Sequence, residues 1–227
     1  MTDADLLNAW PFDAGLPLPR LLRFMDALAA GAGNATAKSS GTMESLGTFN
    51  RRLARLHLQL VGRPLEAKVV CACGEELELA LPIEAVAATA DPPATVGIDT
   101  PNRRSFRLPC LSEIALAREP RALAEACALD EGDALSDEHL ATLDAVWSAA
   151  DPAAEITLDF ACTACGVPIH AQADLALFVA RELDMKMRGF LAEIHNLAGA
   201  YGWSEAEVLM VPAARRRLYA ALIGGRS

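Results

Sequence analysis

The sequence predicts an α+β protein in which helical arms surround small antiparallel β-hairpins, with a long helix near the C-terminus. Three observations support this prediction. Apolar residues recur at helical spacing near both ends of the chain. Short segments in the middle alternate between apolar and polar residues, and two turns of the type Cys-turn-Cys-Gly each join two such segments. Periods of 3.6 and 2 residues distinguish helices from strands, and their mixture is typical of this class.

The first predicted region, residues 1–45, is an N-terminal helix followed by a flexible linker. Its helical stripe comprises Leu18, Leu21, Leu22, Met25 and Leu28. Pro19 suits the first turn of this helix, because proline carries no amide hydrogen to lose there. The small and polar residues of 31–42 predict the linker.

The second predicted region, residues 46–173, is an α+β domain with helices inserted at 83–150. It opens with a helix at 48–61, whose polar face is expected to carry Arg51, Arg52 and Arg55. Alternation predicts hairpins at 65–71 with 76–81, 95–99 with 105–108, and 155–160 with 167–171. Short helices are expected near 111–118, 120–129 and 137–149, with Ser112 and Ser136 as N-caps.

The third predicted region, residues 174–227, is a C-terminal helical segment. Asp174 is a suitable N-cap for the long helix, which is expected to end near 199–202. The run from Ser204 to Glu207 forms a capping box that opens a short helix. Pro212 suits the first turn of a last helix that reaches about Ile223.

Composition excludes several classes of protein. The chain has 227 residues, of which 52% are hydrophobic, and it includes 45 Ala, so it can bury a core and is not disordered overall. It has no uninterrupted apolar stretch of about 20 residues, which argues against a membrane span. The acidic start of the chain argues against a secretion signal. We therefore expect a cytoplasmic protein whose six cysteines are thiols or metal ligands.

The net charge of −10 is concentrated in the middle of the chain. Residues 65–165 carry 19 acidic and 6 basic groups, whereas both flanking segments are slightly basic. This charge argues against nucleic-acid binding, because phosphate contacts need clustered Lys and Arg. The acidic segment is interpreted either as a solvated face that maintains solubility or as a docking face for a basic partner.

Four cysteines are the candidate metal ligands: Cys71, Cys73, Cys162 and Cys165. Each pair lies in a tight turn closed by Gly, and two such knuckles facing one another would form a split zinc-ribbon-like site with a structural zinc ion. The second knuckle has the usual Cys-x-x-Cys spacing, whereas the first is Cys-x-Cys. Two alternatives stay open: metal-free core thiols, or a redox pair.

Other reactive residues carry weaker predictions. His170 is a candidate substitute ligand, and Cys110 and Cys127 are expected to be ordinary buried thiols. His195 is expected at the edge of a core. No phosphate loop, HExxH or G-x-S-x-G motif is present, which predicts a protein that is not an enzyme and has no small-molecule substrate. The run Arg215–Arg217 fits either a helix C-terminal half or a nucleic-acid contact.

The C-terminal sequence resembles a known family. The stretch from Glu193 to Leu209, EIHNLAGAYGWSEAEVL, and the Pro and Arg residues after it resemble the ending of T-even-type phage baseplate hub assembly proteins and their relatives in contractile injection systems. Segments upstream resemble the same family, so that the likeness covers about 46–223. They include GRPLEA before the first knuckle, RLP at 107–109 and the second knuckle itself, whereas the family usually has Cys-x-x-Cys at the first knuckle.

The resemblance implies a non-enzymatic assembly or structural protein of the baseplate hub of a phage-like contractile tail or injection system. The implied partners are hub and spike proteins, met in the bacterial cytoplasm during virion assembly or within the finished particle. Candidate partner-binding residues are Tyr201, Trp203, Arg215, Arg216 and Arg217. Trp203 could instead pack as a hydrophobic staple ahead of Ser204. The alternative function is a zinc-ribbon adaptor or a nucleic-acid-associated regulatory module.

Overall fold

The computed structural model confirms the predicted mixture of helices and small antiparallel hairpins, with more than half of the described residues in helices. It describes residues 2–12, 15, 17–31, 44–100, 103–132 and 134–224. The chain forms two compact units. The first unit contains residues 1–38 and 180–227, and the second contains residues 39–179. The predicted linker lies almost entirely outside the described residues.

The described helices are α1 (Asp3–Ala9), α2 (Pro17–Gly31), α3 (Leu46–Leu60), α4 (Ile83–Ala88), α5 (Leu111–Leu116), α6 (Pro120–Cys127), α7 (Asp137–Ala150), α8 (Leu175–Tyr201), α9 (Glu205–Met210) and α10 (Ala213–Gly224). The longest, α8, is the predicted C-terminal helix, and Asp174 caps it by accepting a hydrogen bond from the Leu177 amide at 2.9 Å. None of the described helices is long and apolar enough to cross a membrane.

The described strands form three separate antiparallel hairpins. They are β1 (Leu65–Val70) with β2 (Glu76–Leu81), β3 (Thr95–Ile98) with β4 (Arg104–Arg107), and β5 (Thr157–Ala161) with β6 (Pro168–Gln172). A two-stranded hairpin is marginally stable alone, so each must lean on a helix or on another hairpin. All three belong to the second unit.

The central hairpin of the second unit packs against the inserted helices. Phe106 is fully buried with Leu143 of α7 and Ala124 of α6. Its ring packs edge-on against the ring of Trp147, with 6.4 Å between the ring centroids. The indole N–H of Trp147 donates to the carbonyl of Arg107 at 3.2 Å. Burial of these apolar groups ties β3–β4 to α6 and α7.

A buried ion pair joins α3 to the end of α7, and it corrects one sequence prediction. Arg51 does not lie on a polar face: it is 1% exposed and donates to Asp151 at 3.0 Å. The second carboxylate oxygen of Asp151 accepts from the Gly47 amide at 3.0 Å. A Cβ at Gly47 would collide with that carboxylate, so glycine is required there. Burial of both charges is tolerable only because they are paired.

The first unit has its own apolar core. Trp10 meets Phe24 edge-on at 5.0 Å, and its indole N–H donates to Asp184 of α8 at 3.3 Å. Arg20 also binds Asp184, at 3.0 Å. The part of α8 that belongs to this unit, residues 180–201, contributes the fully buried residues Leu183, Met187 and Leu197. Two helices are therefore present in the N-terminal region where one was predicted, and Trp10 and Arg20 connect this region to Asp184 of α8.

Smaller differences from the predicted elements have local causes. The N-cap of α5 is Cys110 and not Ser112, because Glu113 reaches back to the Cys110 amide at 3.0 Å. Ser136 caps α7 as predicted. The capping box of Ser204 and Glu207 is also confirmed. Pro212 stands just before α10, where its carbonyl accepts the first helical hydrogen bonds.

Candidate metal centre

The four predicted cysteine ligands lie together in the second unit. The Cys71 and Cys165 sulfurs are 3.7 Å apart, and the Cys73 and Cys162 sulfurs are also 3.7 Å apart. All four sulfur atoms lie within 4.8 Å of one another. Each short distance joins one knuckle to the other, so the hairpins β1–β2 and β5–β6 face each other across the thiols. A disulfide would need about 2.05 Å, and all four cysteines are free.

The first knuckle is closed by two backbone hydrogen bonds. The Cys71 amide donates to the carbonyl of Glu75, and the Gly74 amide donates to the carbonyl of Cys71, both at 2.9 Å. Gly74 has a φ of +94°, a conformation that residues with a Cβ rarely adopt. This compact turn brings Cys73 beside Cys71 although the spacing is Cys-x-Cys.

The second knuckle uses the same two bonds with one more residue. The Cys162 amide donates to the carbonyl of Val167, and the Gly166 amide donates to the carbonyl of Cys162, again at 2.9 Å. Gly166 has a φ of +73°. In each hairpin, the carbonyl of the first cysteine accepts a hydrogen bond from the amide of the turn glycine. The two turns therefore share this hydrogen bond, although their cysteines are separated by one residue in the first knuckle and by two in the second.

The inner half of the cluster is buried and the outer half is exposed. Cys71 and Cys162 are 5% and 2% exposed, whereas Cys73 and Cys165 are exposed. The two inner cysteines pack with Leu77, and Phe160 and Ile169 cover them from the second hairpin. An ion at this place would be shielded by apolar side chains on one side and open to entry on the other.

Backbone amides prepare one sulfur to carry negative charge. The amides of Cys165 and Ala164 donate to the Cys162 sulfur, and they lower its pKa to about 7 although desolvation opposes them. The Val167 amide donates likewise to Cys165, but the neighbouring thiols of Cys73 and Cys162 outweigh it and raise the pKa of Cys165 to about 12. Four thiolates can therefore coexist here only when a cation compensates their charge.

The sulfur geometry fits a tetrahedral metal ion. A tetrahedron with metal–sulfur bonds of about 2.3 Å has sulfur–sulfur edges of about 3.8 Å, close to the two distances of 3.7 Å. Four thiol donors of this kind could hold a soft or borderline cation. The structure thus brings the four predicted cysteines together in a group that could hold a metal ion.

The other candidate residues lie apart from the cluster. His170 is exposed and pairs across the strands with Asp159 at 2.5 Å, and it is not among the grouped ligands. Cys110 and Cys127 are buried, as predicted. Burial raises the pKa of Cys127 to about 12, so it is an unreactive thiol. His195 is exposed on α8 and does not lie at a core edge.

The predicted partner-binding residues fall into two groups in the first unit. The ring of Tyr201 stacks on that of Trp203, with 4.9 Å between the ring centroids. Both rings contact the ring of Tyr219 edge-on, and Trp203 is half-buried. Arg215 and Arg217 are exposed on α10.

Arg216 differs from its two neighbours and corrects the prediction that it binds a partner. It is 3% exposed, pairs with Asp3 and with Glu193, and donates to the carbonyl of Val211 at 2.9 Å. Its guanidinium therefore closes the first unit internally and is not accessible to a partner.

Comparison of the chain with protein families, with curated proteins and with solved structures finds no match. The functional interpretation therefore depends on the geometry of the cysteine cluster and on the resemblance of the sequence motifs.

Sequence reasoning missed two features of the second unit. One is the pair of Arg51 and Asp151, for which the only signal was an Asp-Pro step after α7. The other is an apolar groove between α7 and the helices α5 and α6, with a volume of about 680 Å³. Such a groove combines side chains from three helices, and no single periodicity in the sequence marks it.

Proposed function

We propose that the chain is a non-enzymatic assembly protein of the baseplate hub of a phage-like contractile tail or injection system, stabilised by one structural zinc ion. The observation that carries the zinc part is the convergence of four cysteine sulfurs from two hairpins within 4.8 Å. The baseplate part is supported by the ordered sequence motifs described above, and the protein would act in the bacterial cytoplasm, where hubs are assembled.

Zinc is the ion that fits this donor set best. It favours four-coordinate tetrahedral sites, and a complete set of four protein thiolates is typical of its structural sites. Catalytic zinc sites keep a position open for water or substrate, and four cysteine ligands leave none. The ion would therefore clip two hairpins together and take no part in a reaction.

The charge of the second unit favours a protein partner over a nucleic acid. Both strands of β1–β2 carry exposed acidic residues, namely Glu66, Glu76 and Glu78. Residues 65–165 have a net charge of −13. A ribbon that bound DNA or RNA would need basic side chains around the knuckles to neutralise phosphates. The aromatic group of Tyr201 and Trp203 is instead of the kind that anchors protein interfaces.

Co-purification with hub and spike proteins tests the proposed role. The chain would be expressed with the hub and spike proteins of a contractile tail, and the complex isolated through a tag on the hub protein. We expect the wild-type chain to be retained and the Trp203→Ala variant to be retained less. A variant at the exposed Met210, Met210→Ala, serves as a matched control nearby.

Two results would contradict the proposed role. One is the absence of any complex with hub or spike proteins when the chain is folded. The other is a salt-dependent shift of DNA mobility by the purified chain, which would favour the nucleic-acid-associated alternative. Thermal melting of Trp203→Ala separates lost contact from lost folding, since Trp203 also packs against Tyr219 at 5.3 Å.

A further inference from the structure

The groove between α7 and the helices α5 and α6 is apolar at its floor and acidic at its rim. Leu108 and Leu143 are buried at the floor, and the half-buried Leu123, Leu140 and Trp147 form the walls. Leu140, Asp144 and Trp147 follow the helical spacing of one face of α7. A groove of this form, bounded by helices, is typical of sites that accept an amphipathic helix.

The rim carries carboxylates that no described residue neutralises. Glu119, Asp144 and Glu155 are exposed and make no ion pair within the described ranges, and Arg118 is the basic residue of the lining. By contrast, the remaining lining carboxylates are paired: Asp137 with Arg121 at 3.2 Å, and Asp151 with Arg51. The rim therefore favours an occupant with basic side chains.

The outer face of α10 has the complementary composition. Leu218 and Leu222 are 66% and 61% exposed, and they stand one turn apart. Arg215 lies one turn before Leu218 on one side of this stripe, and Arg217, about 100° around the helix from Leu218, lies on the other side. Neither arginine forms an ion pair within the described part of the chain. Arg216 and Tyr219 on the inner face contact other residues of the first unit. The leucines of the outer face form an apolar stripe that none of the described residues covers.

We infer that α10 of one copy of this chain docks into the groove of a second copy, with Leu218 and Leu222 on the apolar floor and Arg215 and Arg217 against the acidic rim. The groove belongs to the second unit and α10 to the first, so each copy carries both halves of the contact. Such a head-to-tail contact leaves one groove and one helix free, and copies therefore add until a ring closes or a filament grows. This inference does not depend on the proposed baseplate role.

The expected affinity is modest. A helix of 12 residues is about 18 Å long, and one helix in one groove buries an area at the low end of specific interfaces. We therefore expect association that depends on protein concentration and on salt, because the rim charges are exposed.

Sedimentation velocity of the purified full chain over a range of concentrations tests the inference. The wild-type chain is expected to associate. The helix variant Arg215→Glu with Arg217→Glu, and the groove variant Asp144→Arg with Glu155→Arg, should each associate about tenfold more weakly or not at all. A matched control, Glu66→Arg with Glu125→Arg, changes two exposed acidic residues outside the lining and should behave as wild type.

Mixing the two charge variants provides the decisive arm. In the mixture, the glutamates on α10 of the helix variant meet the arginines in the groove of the groove variant. The unchanged α10 of the groove variant meets the unchanged acidic groove of the helix variant. Both contacts therefore join opposite charges. Mixed association at wild-type strength supports the inference. A wild-type chain that stays monomeric at every concentration would overturn it, and so would a mixture that stays monomeric. Unchanged circular dichroism and melting would show that the variants are folded.

Discussion

The two cysteine-bearing hairpins share a turn but differ in what supports them. In β1–β2, the side chains of Leu65, Ala67, Leu77 and Leu81 are buried on one face. In β5–β6, no strand residue is fully buried, and the strands alternate only between half-buried and exposed positions. The first hairpin is thus anchored by apolar burial, whereas the second depends on the cysteine cluster and on Phe160 and Ile169 packed against it.

Under the proposed function, a bound metal ion would give β5–β6 the support that apolar burial gives β1–β2. Burial of a leucine side chain contributes about 2 kcal/mol, and β1–β2 has several such residues. The second hairpin has none, so its ordering would have to come from bonds to the ion. The Cys-x-Cys knuckle lies in β1–β2, the hairpin with the buried strand residues. Burial of those strand residues supports its non-standard turn.

Metal removal should have the largest effect and should separate the two hairpins. After chelation, or in Cys162→Ser, we expect the amides of β5–β6 to exchange with solvent much faster, because ligand bonds no longer hold them. The amides of β1–β2 should stay protected by the core. Hydrogen exchange measured by mass spectrometry checks this expectation.

The matched control for this experiment is Cys127→Ala, which removes a buried thiol away from the cluster and should leave the metal in place. Equal exchange of both hairpins after chelation would contradict the comparison.

Truncation of one leucine in each hairpin should have the next largest effect. Leu77→Ala is expected to cost about 2–3 kcal/mol of unfolding free energy in the metal-loaded protein, since Leu77 is buried beside the inner cysteines. Leu158→Ala should cost about 1 kcal/mol, because Leu158 is only half-buried. Urea denaturation measures both losses of unfolding free energy. A larger loss from Leu158→Ala would contradict the claim that apolar burial supports β1–β2 more than β5–β6.

The two turn glycines offer a smaller, matched comparison. No atom would obstruct a Cβ at Gly74 or Gly166, so alanine there costs only backbone strain. We expect about 1–2 kcal/mol for each, with the larger loss at Gly74, whose φ of +94° lies farther from the left-handed minimum than the +73° of Gly166. Thermal melting of the two alanine variants measures the losses, and an unchanged midpoint for both would show that the turns are not strained.

The cross-strand charge pairs should have the smallest effect. Lys68 lies opposite Glu78 at 2.8 Å, and the hydrogen bond from Lys68 holds the pKa of Glu78 below its ordinary value. A lowered folded pKa contributes stability above the ordinary pKa of Glu, and this contribution disappears as the pH falls through the folded value.

Glu78→Gln should therefore lower the melting temperature slightly at neutral pH and make no difference in acid. The reference is the corresponding pair on the second hairpin, Asp159 and His170, with Asp159→Asn as the matched variant. A destabilisation by Glu78→Gln that persisted unchanged in acid would show that the ion pair is not its cause.

The sequence predicted those features that depend on local patterns. The hairpins, the long helix, the capping boxes and the four cysteines each have a signal within a few residues. The burial of Arg51 could not be predicted, because its partner Asp151 lies 100 residues away and arginine on a helix normally faces solvent. The same limit applies to Arg216, which is buried against Asp3 at the other end of the chain.

The groove was equally inaccessible to sequence reasoning, since its walls combine α5, α6 and α7. The sequence predicted the approach of the two knuckles only as a hypothesis. Cys73 and Cys162 are 89 residues apart in the chain, and the cysteine spacing within each knuckle does not show that the two turns meet in the fold.

Elemental analysis of the folded, purified chain tests the central claim most directly. We predict one zinc ion per chain in protein purified without chelators, and loss of that ion in Cys73→Ser, which removes one ligand of the irregular knuckle while the buried residues of β1–β2 remain. A metal content near zero in wild-type protein that melts cooperatively would contradict the claim, and so would full zinc retention in Cys73→Ser.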